Sequence, residues 1–276
     1  MQIRDRKRLC GFFLAGGESR HDVLAENMKL FLAGVMPWRE EGIYTPAIEQ
    51  FRPFILESFF YADKVTEKLL PYYGDFLLDS GAFTFMTGSH GKQIIWEDYV
   101  ERYADFINRN HIQKFFELDI DSLVGYEQVK TLRSRLESLT GKQPIPVWHK
   151  SRGKDEFLRM ADAYPYVALG GIVTKEWSRE EYKFFPWFIS QAHKRGAKIH
   201  GLGFTQLEGL KKYHFDSVDS TAWTTGNRFG YICQFTGSTI IKHDAPKGHR
   251  LADPRAVALI NFTEWIKFQK YAEVYL

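Results

Sequence analysis

Short apolar runs alternate along the chain with stretches in which apolar residues recur every three or four positions. The first pattern is typical of buried strands and the second of helices, so their alternation predicts β-α units and a parallel sheet. Eight runs can be written as strands, which is the number that a closed (β/α)8 TIM barrel requires. They span residues 9–15, 76–79, 114–119, 145–149, 166–169, 198–203, 215–219 and 231–235.

The helical pattern is clear between several of these runs. Gly141 and Gly196 follow two of the helical stretches and are plausible stop signals. Residues 20–55 hold three prolines and no clear period, so we expect a long insertion after the first strand that covers the barrel mouth. The predicted helices span residues 96–107, 126–139, 155–163, 180–195 and 253–271.

Composition fits one soluble domain. The chain has 276 residues, of which 44% are hydrophobic and 26% charged, so a single barrel domain over residues 1–276 is sufficient. A net charge of +3 does not by itself establish nucleic-acid binding. Three basic clusters could each contact phosphates or simply face solvent. They are Arg4, Arg6, Lys7 and Arg8; Lys211 and Lys212; and Lys242, His243, Lys247, His249 and Arg250.

Cysteine usage and hydropathy limit the class further. Cys10 and Cys233 lie far apart in apolar runs, so we expect buried free thiols in a reducing compartment. No four-ligand zinc pattern can be written, and no run of about 18 apolar residues predicts a membrane span. The charged N-terminus lacks the features of a signal peptide. A cytoplasmic location is therefore expected, and nothing in the pattern specifies an oligomeric state.

Polar residues and glycines collect where the predicted strands end. In such barrels the active site lies at the carboxyl ends of the strands, and glycine there lets a ligand approach the backbone. Each aspartate alone could instead cap a helix, but their convergence favours a functional mouth. The residues concerned are Asp79, Ser80, Gly81, Glu117, Asp119, Asp121, His149, Gly170, Gly171, His200, Asp216 and Asp219.

Paired carboxylates at one mouth suit glycosyl chemistry. One can attack the anomeric carbon of a sugar while another group handles protons. The same residues could instead bind Mg²⁺ for a hydrolase, because hard cations prefer carboxylate oxygens. Spacing alone leaves both alternatives open.

Several of these strand ends resemble the tRNA-guanine transglycosylases. Residues 76–83, Phe-Leu-Leu-Asp-Ser-Gly-Ala-Phe, are similar to the Asp-Ser-Gly-Gly-Phe segment of that family. Residues 215–218, Phe-Asp-Ser-Val, resemble its Phe-Asp-Cys-Val segment, which carries the nucleophile. Residues 168–172 resemble its Gly-Gly strand end, and Asp119 falls where the family has an aspartate that reads the purine edge.

The departures from that pattern refine the resemblance. The chain is shorter than the tRNA enzymes and cannot form their cysteine-rich zinc site, so no zinc subdomain is expected. Residues 217–223, Ser-Val-Asp-Ser-Thr-Ala-Trp, are closer to the compact phage-type DNA-guanine transglycosylases, the DpdA group. This resemblance implies exchange of guanine in DNA for preQ0 or a related 7-deazaguanine, in the host cytoplasm if the protein is phage-encoded. DNA and the free base are the partners it implies, with no cofactor and no metal.

The resemblance also implies roles for the strand-end residues. An aspartate attacks C1′, Asp79 takes the N9 proton of the incoming base, and Asp119 accepts hydrogen bonds from the base edge. Asp216 matches the family position of the nucleophile, whereas Asp219 lies nearer the strand's carboxyl end; we favour Asp219. Ser80, Gly81, Asp121, His149, Gly170, Gly171 and His200 are the further residues expected to bind substrate.

Three alternatives remain at this stage. The first keeps the chemistry with tRNA as the substrate. The second is a metal-assisted barrel hydrolase that uses Asp79, Asp119, His149, His200 and Asp219. The third is a non-catalytic barrel that binds nucleic acid.

Overall fold

The computed structural model describes residues 28–35, 39–81, 84–85, 94–246 and 253–276. The predicted strand 9–15, with Cys10 and the first basic cluster, lies outside this part of the chain. The strands are β1 Lys29–Ala33, β2 Phe54–Ser58, β3 Asp75–Asp79, β4 Val147–Trp148, β5 Tyr166–Leu169, β6 Lys198–Gly201, β7 Ser217–Ser220, β8 Tyr231–Phe235 and β9 Ile240–Asp244.

The α-helices lie mostly between these strands. Predicted helices near residues 96–107, 126–139, 155–163 and 253–271 are confirmed, and the region predicted as helix 180–195 divides into a 3-10 turn, Arg179–Phe184, and an α-helix. Gly141 ends its helix in the left-handed conformation, with φ of 64°. The α-helices are α1 Thr45–Phe51, α2 Lys64–Leu69, α3 Trp96–Arg109, α4 Asp121–Val124, α5 Tyr126–Thr140, α6 Lys154–Ala163, α7 Phe185–Lys194, α8 Leu207–Lys212, α9 Thr225–Phe229 and α10 Pro254–Tyr275.

Seven parallel strands form the main sheet, in the order β3-β2-β1-β7-β6-β5-β4. The register pairs His200 of β6 with Ser217 of β7, and Phe31 of β1 with Asp219 of β7. At one edge, Ser58 of β2 pairs with Asp79 of β3. Because all seven strands run in the same direction, their carboxyl ends lie along one side of the sheet.

The predicted closed eight-stranded barrel is wrong. The described residues form a curled seven-stranded sheet, and the predicted strand 114–119 does not join it as a ladder. That segment makes two isolated parallel bridges. Phe115 pairs with Leu78 of the edge strand β3, and Phe116 pairs with Ile145, just before the other edge strand, β4. The Glu117 N–H still donates to the Ile145 carbonyl at 3.0 Å, and the side chains of Glu117, Asp119 and Asp121 make ion pairs.

The predicted irregular insertion over residues 20–55 is also wrong where the structure describes it. Lys29–Ala33 is an interior strand of the sheet, since it pairs with both β2 and β7. After Lys29, its sequence Leu-Phe-Leu-Ala is a continuous apolar run of the kind found in strands covered on both faces. Thr45–Phe51 adds a helix with Pro46 in its first turn, a position that tolerates proline.

The last predicted barrel strand belongs to a separate hairpin. Tyr231–Phe235 pairs antiparallel with Ile240–Asp244 and not with the main sheet. The hairpin packs on α10, where the buried Asn261 accepts a hydrogen bond from the Cys233 N–H at 2.6 Å. Cys233 is buried and unpaired by disulfide, as predicted.

Two apolar layers cover the two faces of the sheet. One is shared with the helices and includes Leu30, Val167 and Ile199. The other combines Leu77 near one edge with Val147 near the other, and also contains Phe116. Residues from opposite edges can meet in one cluster only because the sheet curls around them.

None of the helices within the described residues combines the length and apolar character needed to cross a membrane.

Candidate functional site

A cavity of about 1200 Å³ opens at the carboxyl ends of the seven strands. Residues that end or follow each strand contribute to its wall, from Ala33 at the end of β1 to Thr221 after β7. Such crevices are where parallel α/β sheets place their ligands. The charged lining residues among those described are Glu57, Asp79, Asp119, Asp121, His149, Lys150, Glu176 and Asp219.

Asp79 ends β3 and is enclosed by other carboxylates. Its Oδ2 accepts a hydrogen bond from the Gly81 N–H at 2.9 Å. Burial, with the negative charges of Asp219 and Asp119, raises the pKa of Asp79 to about 7 against the effect of that hydrogen bond. A carboxyl group that titrates near neutrality can both donate and accept a proton under physiological conditions.

The Ser80-Gly81 turn supports Asp79 from behind the cavity wall. Gly81 has φ of +85°, and a Cβ there would lie 2.7 Å from the Cβ of Phe60. Ser80 is 1% exposed, and its carbonyl accepts from the Tyr99 hydroxyl at 2.6 Å. Both residues were predicted to bind substrate, but neither is among the described lining residues. Their contacts shape the backbone that carries Asp79.

Asp219 lies on β7 and faces the same cavity. Its Oδ1 accepts from the Gly203 N–H at 2.6 Å and from His200 Nε2 at 3.1 Å. No hydrogen bond from the described residues reaches its Oδ2. The side chain is 11% exposed. The two donors hold Oδ1 at the cavity wall.

His200 was predicted to bind substrate, and the structure places it elsewhere. Its ring is fully buried behind Asp219, packed at 5.2 Å from the Phe116 ring, and is not among the described lining residues. Its Nδ1 lies 2.5 Å from the Ser217 hydroxyl. His200 therefore contacts the aspartate, not the cavity.

Asp216 lies at the opposite end of the same strand. It precedes β7, and its Oδ2 accepts from the Ile199 N–H at 2.7 Å and from His193 at 2.9 Å. The described lining of the cavity includes Asp219 and not Asp216. The structure thus separates the two candidate nucleophiles and brings only Asp219 to the cavity.

Asp119, His149 and Glu176 form an ion-paired triad on the cavity wall. His149 donates from Nε2 to Asp119 at 2.6 Å and from Nδ1 to Glu176 at 3.0 Å. Burial opposes the charged ring, but the two carboxylates outweigh it and raise the pKa of His149 to about 10. The hydrogen bond from His149 in turn lowers the pKa of Glu176. His149 is thus an imidazolium whose two N–H groups are already engaged, and the carboxylates remain to accept from a ligand.

The Gly170-Gly171 pair makes room for this triad. A Cβ at Gly170 would lie 2.7 Å from the His149 ring, and one at Gly171 would lie 2.7 Å from the Glu176 carboxylate. Gly171 also has φ of +80°, which glycine adopts without strain. We predicted these glycines from the approach of a ligand; their nearest neighbours are side chains of the site, and of the two only Gly171 is among the described lining residues.

Asp121 is held by a buried arginine. It begins the short helix α4 and accepts from Arg152 at 2.5 Å and 3.1 Å. Arg152 also donates to Glu117 at 2.8 Å, and Arg133 lies 3.2 Å from the same carboxylate. Burial raises the pKa of Glu117 against the pull of the two arginines. This network adds to the two backbone hydrogen bonds between residues 115–117 and Ile145, and the Glu117 carboxylate also accepts from the Val147 N–H of β4 at 2.8 Å.

One group in the cavity has the spacing of a cation site. Asp119, Asp121 and His149 each offer a ligand atom, all within 4.8 Å of one another. However, Arg152 already neutralises Asp121, and a metal would have to remove the proton of His149, whose pKa is about 10. The donor set is therefore better suited to ion pairs than to Mg²⁺.

Charge compensation singles out two carboxylates. Glu57 is paired with Arg39, Asp121 with Arg152, and the remaining acidic triad members share His149. Asp79 and Asp219 are the lining carboxylates that contact neither a described lysine or arginine nor the charged His149. Uncompensated carboxylates in a cleft are candidates for chemistry, because pairing would have quenched their reactivity.

Sequence reasoning missed Glu176, Arg152 and Tyr166, which carry no motif of their own. It quoted Ser217 within a motif but gave that residue no role. Glu176 alone had a signal in the sequence, because it follows the Gly170-Gly171 pair closely. In the structure its N–H donates to the Gly171 carbonyl at 2.9 Å.

No model of a known protein family matches the chain, and no curated protein sequence matches it either. The resemblance to the guanine transglycosylases therefore rests on the short motifs around Asp79, Asp119, Gly170 and Asp219.

Proposed function

We propose that the protein is a base-exchange transglycosylase that replaces guanine in DNA with a 7-deazaguanine such as preQ0, through a covalent bond between Asp219 and the sugar. The observation that supports this best is the pair of uncompensated carboxylates in one cavity. Asp79 has a pKa of about 7, and Asp219 is held by two N–H donors. Two carboxylates in unlike surroundings are the arrangement that glycosyl transfer by a covalent intermediate requires.

In the first half-reaction a carboxylate oxygen of Asp219 attacks C1′ of the target nucleotide. The C1′–N9 bond breaks, its electron pair goes to N9, and protonated Asp79 supplies the proton that guanine needs to leave. A target guanine must be flipped out of a duplex to reach such a cavity. Guanine then departs, leaving an ester between Asp219 and the sugar.

In the second half-reaction the 7-deazaguanine occupies the vacated space. Asp79, now ionised, accepts the N9 proton as N9 attacks C1′ and the ester bond breaks. Asp219 regains its charge and Asp79 regains its proton. Two inversions at C1′ give net retention.

The triad of Asp119, His149 and Glu176 supports a role in base binding. With both His149 N–H groups engaged, the free oxygens of the triad can only accept hydrogen bonds. The amino and ring N–H groups of guanine and its 7-deaza relatives are donors. A base that lacks them would leave buried carboxylate oxygens unpaired, at a cost of roughly 1–3 kcal/mol or more.

An exchange assay tests this function directly. The protein is incubated with duplex DNA, single-stranded DNA or tRNA, together with preQ0 or other 7-deazaguanines, and digested nucleosides are analysed by mass spectrometry. DNA is the expected substrate because residues 217–223 resemble the DNA enzymes. Incorporation into tRNA alone would favour that substrate, and no incorporation into any polymer would overturn the proposal.

Asp219→Asn and Asp216→Asn form a matched pair for the nucleophile. Asp219→Asn should abolish both exchange and the covalent DNA adduct seen on a denaturing gel, since an amide is a poor nucleophile. Asp216→Asn should retain adduct formation, because that side chain contacts His193 away from the cavity. Equal loss in both variants would contradict the assignment of Asp219.

Exchange should persist after dialysis against EDTA. A loss of exchange that Mg²⁺ restores would favour the hydrolase alternative.

A further inference from the structure

A chain of hydrogen bonds runs through the curled sheet to Asp219. The Tyr166 hydroxyl contacts the Ser217 hydroxyl, which lies 2.5 Å from His200 Nδ1, and His200 Nε2 lies 3.1 Å from Asp219 Oδ1. Tyr166 begins β5, whereas Ser217 and Asp219 lie two residues apart on β7 and point to the same face. The chain therefore spans the apolar layer that contains Phe116 and Ala168.

Such a polar chain is costly inside an apolar layer unless every member is satisfied. An ionised Asp219 can only accept, so the proton of the last link must lie on His200 Nε2. In the tautomer with its proton on Nε2, Nδ1 can accept from Ser217, and the Ser217 oxygen can accept from Tyr166. One orientation thus satisfies all the links, with every donor directed toward Asp219.

We propose that His200, locked by Ser217 and Tyr166, is the residue that positions Asp219 for attack on the sugar. This inference rests on the proposed function, because it assigns the nucleophile's support. His200 does not touch the cavity and cannot itself exchange protons with a ligand there. Its Nε2–H and the Gly203 N–H both bind Oδ1, which orients the carboxylate and leaves Oδ2 to react.

The first test measures the rate of covalent adduct formation in a single turnover. His200→Leu removes the donor and should slow adduct formation roughly a hundredfold, the scale expected when a reacting group is misplaced by about 1 Å. His200→Gln can place an amide N–H near the position of Nε2 and should recover most of the rate. DNA affinity should stay unchanged in both variants, because His200 does not line the cavity.

A matched control is available in His193, which also hydrogen-bonds to an aspartate. His193→Leu and His193→Gln should leave the rate unchanged, since Asp216 lies away from the cavity. Tyr166→Phe and Ser217→Ala each break one link of the chain. Ser217→Ala should slow adduct formation more, by roughly tenfold, because Ser217 contacts His200 directly. An active wild type with an equally active, folded His200→Leu variant would overturn the positioning role while leaving the proposed function intact.

A second test does not depend on activity. Nitrogen-15 NMR of labelled histidine, with the His200 signals identified by their absence in His200→Gln, reports which ring nitrogen carries the proton. We expect protonated Nε2 and unprotonated Nδ1 in the wild type, with Nδ1 becoming protonated in part in Ser217→Ala. A wild-type proton on Nδ1 alone would overturn the orientation of the chain. Lack of exchange by the wild type would instead overturn the proposed function.

Discussion

At the scale of single residues, the reactivity of the cavity depends on Asp79. Its pKa is raised to about 7 by burial and by Asp219 and Asp119. The first half-reaction needs Asp79 protonated, so its rate should be full below about pH 7 and fall tenfold per pH unit above it. Measuring adduct formation without an incoming base, between pH 6 and pH 9, isolates this step.

Asp79→Asn is the matching variant for that profile. The amide cannot donate as an acid, so adduct formation should slow by about 10²–10⁴-fold, the usual contribution of a positioned general acid. The decline above pH 7 should disappear at the same time. A decline that persists in Asp79→Asn would show that another group controls the step.

The candidate residues could be predicted where a strand end carried them, and not otherwise. Asp79, Asp119, His149 and Asp219 were found because polar residues that end parallel strands must converge. His200 was assigned to the cavity because it also lies near the end of a strand. Its ring instead packs against Phe31 and Phe116, in the apolar layer inside the curl of the sheet. Contacts between distant segments, such as that between Tyr166 and Ser217, leave no signal in spacing.

At the scale of elements, buried charges help to hold the segment 114–119, which makes only isolated bridges to its neighbours. Glu117 is fully buried, and its partner Arg152 has a side chain that is 1% exposed. Removing one member of a buried pair costs about 3–5 kcal/mol, because the other charge is left without compensation. We therefore expect Arg152→Met to lower the free energy of unfolding by that amount in urea titrations.

Two further variants separate charge from packing at this network. Arg152→Met combined with Glu117→Gln should recover part of the loss, because the fully buried charge of Glu117 is removed together with its partner. The recovery should be incomplete, since Arg133 and Asp121 each lose a partner. Arg159→Met is the surface control, since the Arg159 side chain is 69% exposed and its pairing with Glu156 should contribute less than about 1 kcal/mol. A loss in Arg152→Met no larger than in this control would mean that water compensates Glu117.

Helices and strands could be predicted where the spacing of apolar residues alone decides them. The helix at Trp96–Arg109 keeps one apolar face, and the structure has it. Lys29–Ala33 was missed because its short apolar run lies among prolines, and length alone does not separate a short strand from a loop. Tyr231–Phe235 was found as a strand but assigned to the wrong sheet, because apolar runs do not identify their partners.

At the scale of the whole molecule, the C-terminal helix joins parts of the fold that are distant in sequence. Gln269 of α10 is fully buried, accepts from the Phe54 N–H at 2.9 Å, and donates to the Leu30 carbonyl at 2.7 Å and the Phe54 carbonyl at 2.8 Å. One amide thus connects α10 to the first residues of β1 and β2. The hairpin is tied to the same helix through Asn261.

Gln269→Leu should therefore weaken the fold without altering the chemistry. The substitution leaves the Phe54 N–H and two carbonyls without this partner, and each unsatisfied buried group costs about 1–3 kcal/mol, so we expect a loss of at least about 3 kcal/mol in the free energy of unfolding. Gln113→Leu, whose amide bonds the His111 carbonyl at an exposed site, should change stability by less than about 0.5 kcal/mol. Adduct formation by folded Gln269→Leu should match the wild type, because Leu30 and Phe54 lie at the amino ends of their strands and the cavity lies at the carboxyl ends. A variant as stable as the wild type would show that α10 contributes through its apolar face alone, and slower chemistry in a fully folded variant would show that the two ends of the sheet are coupled.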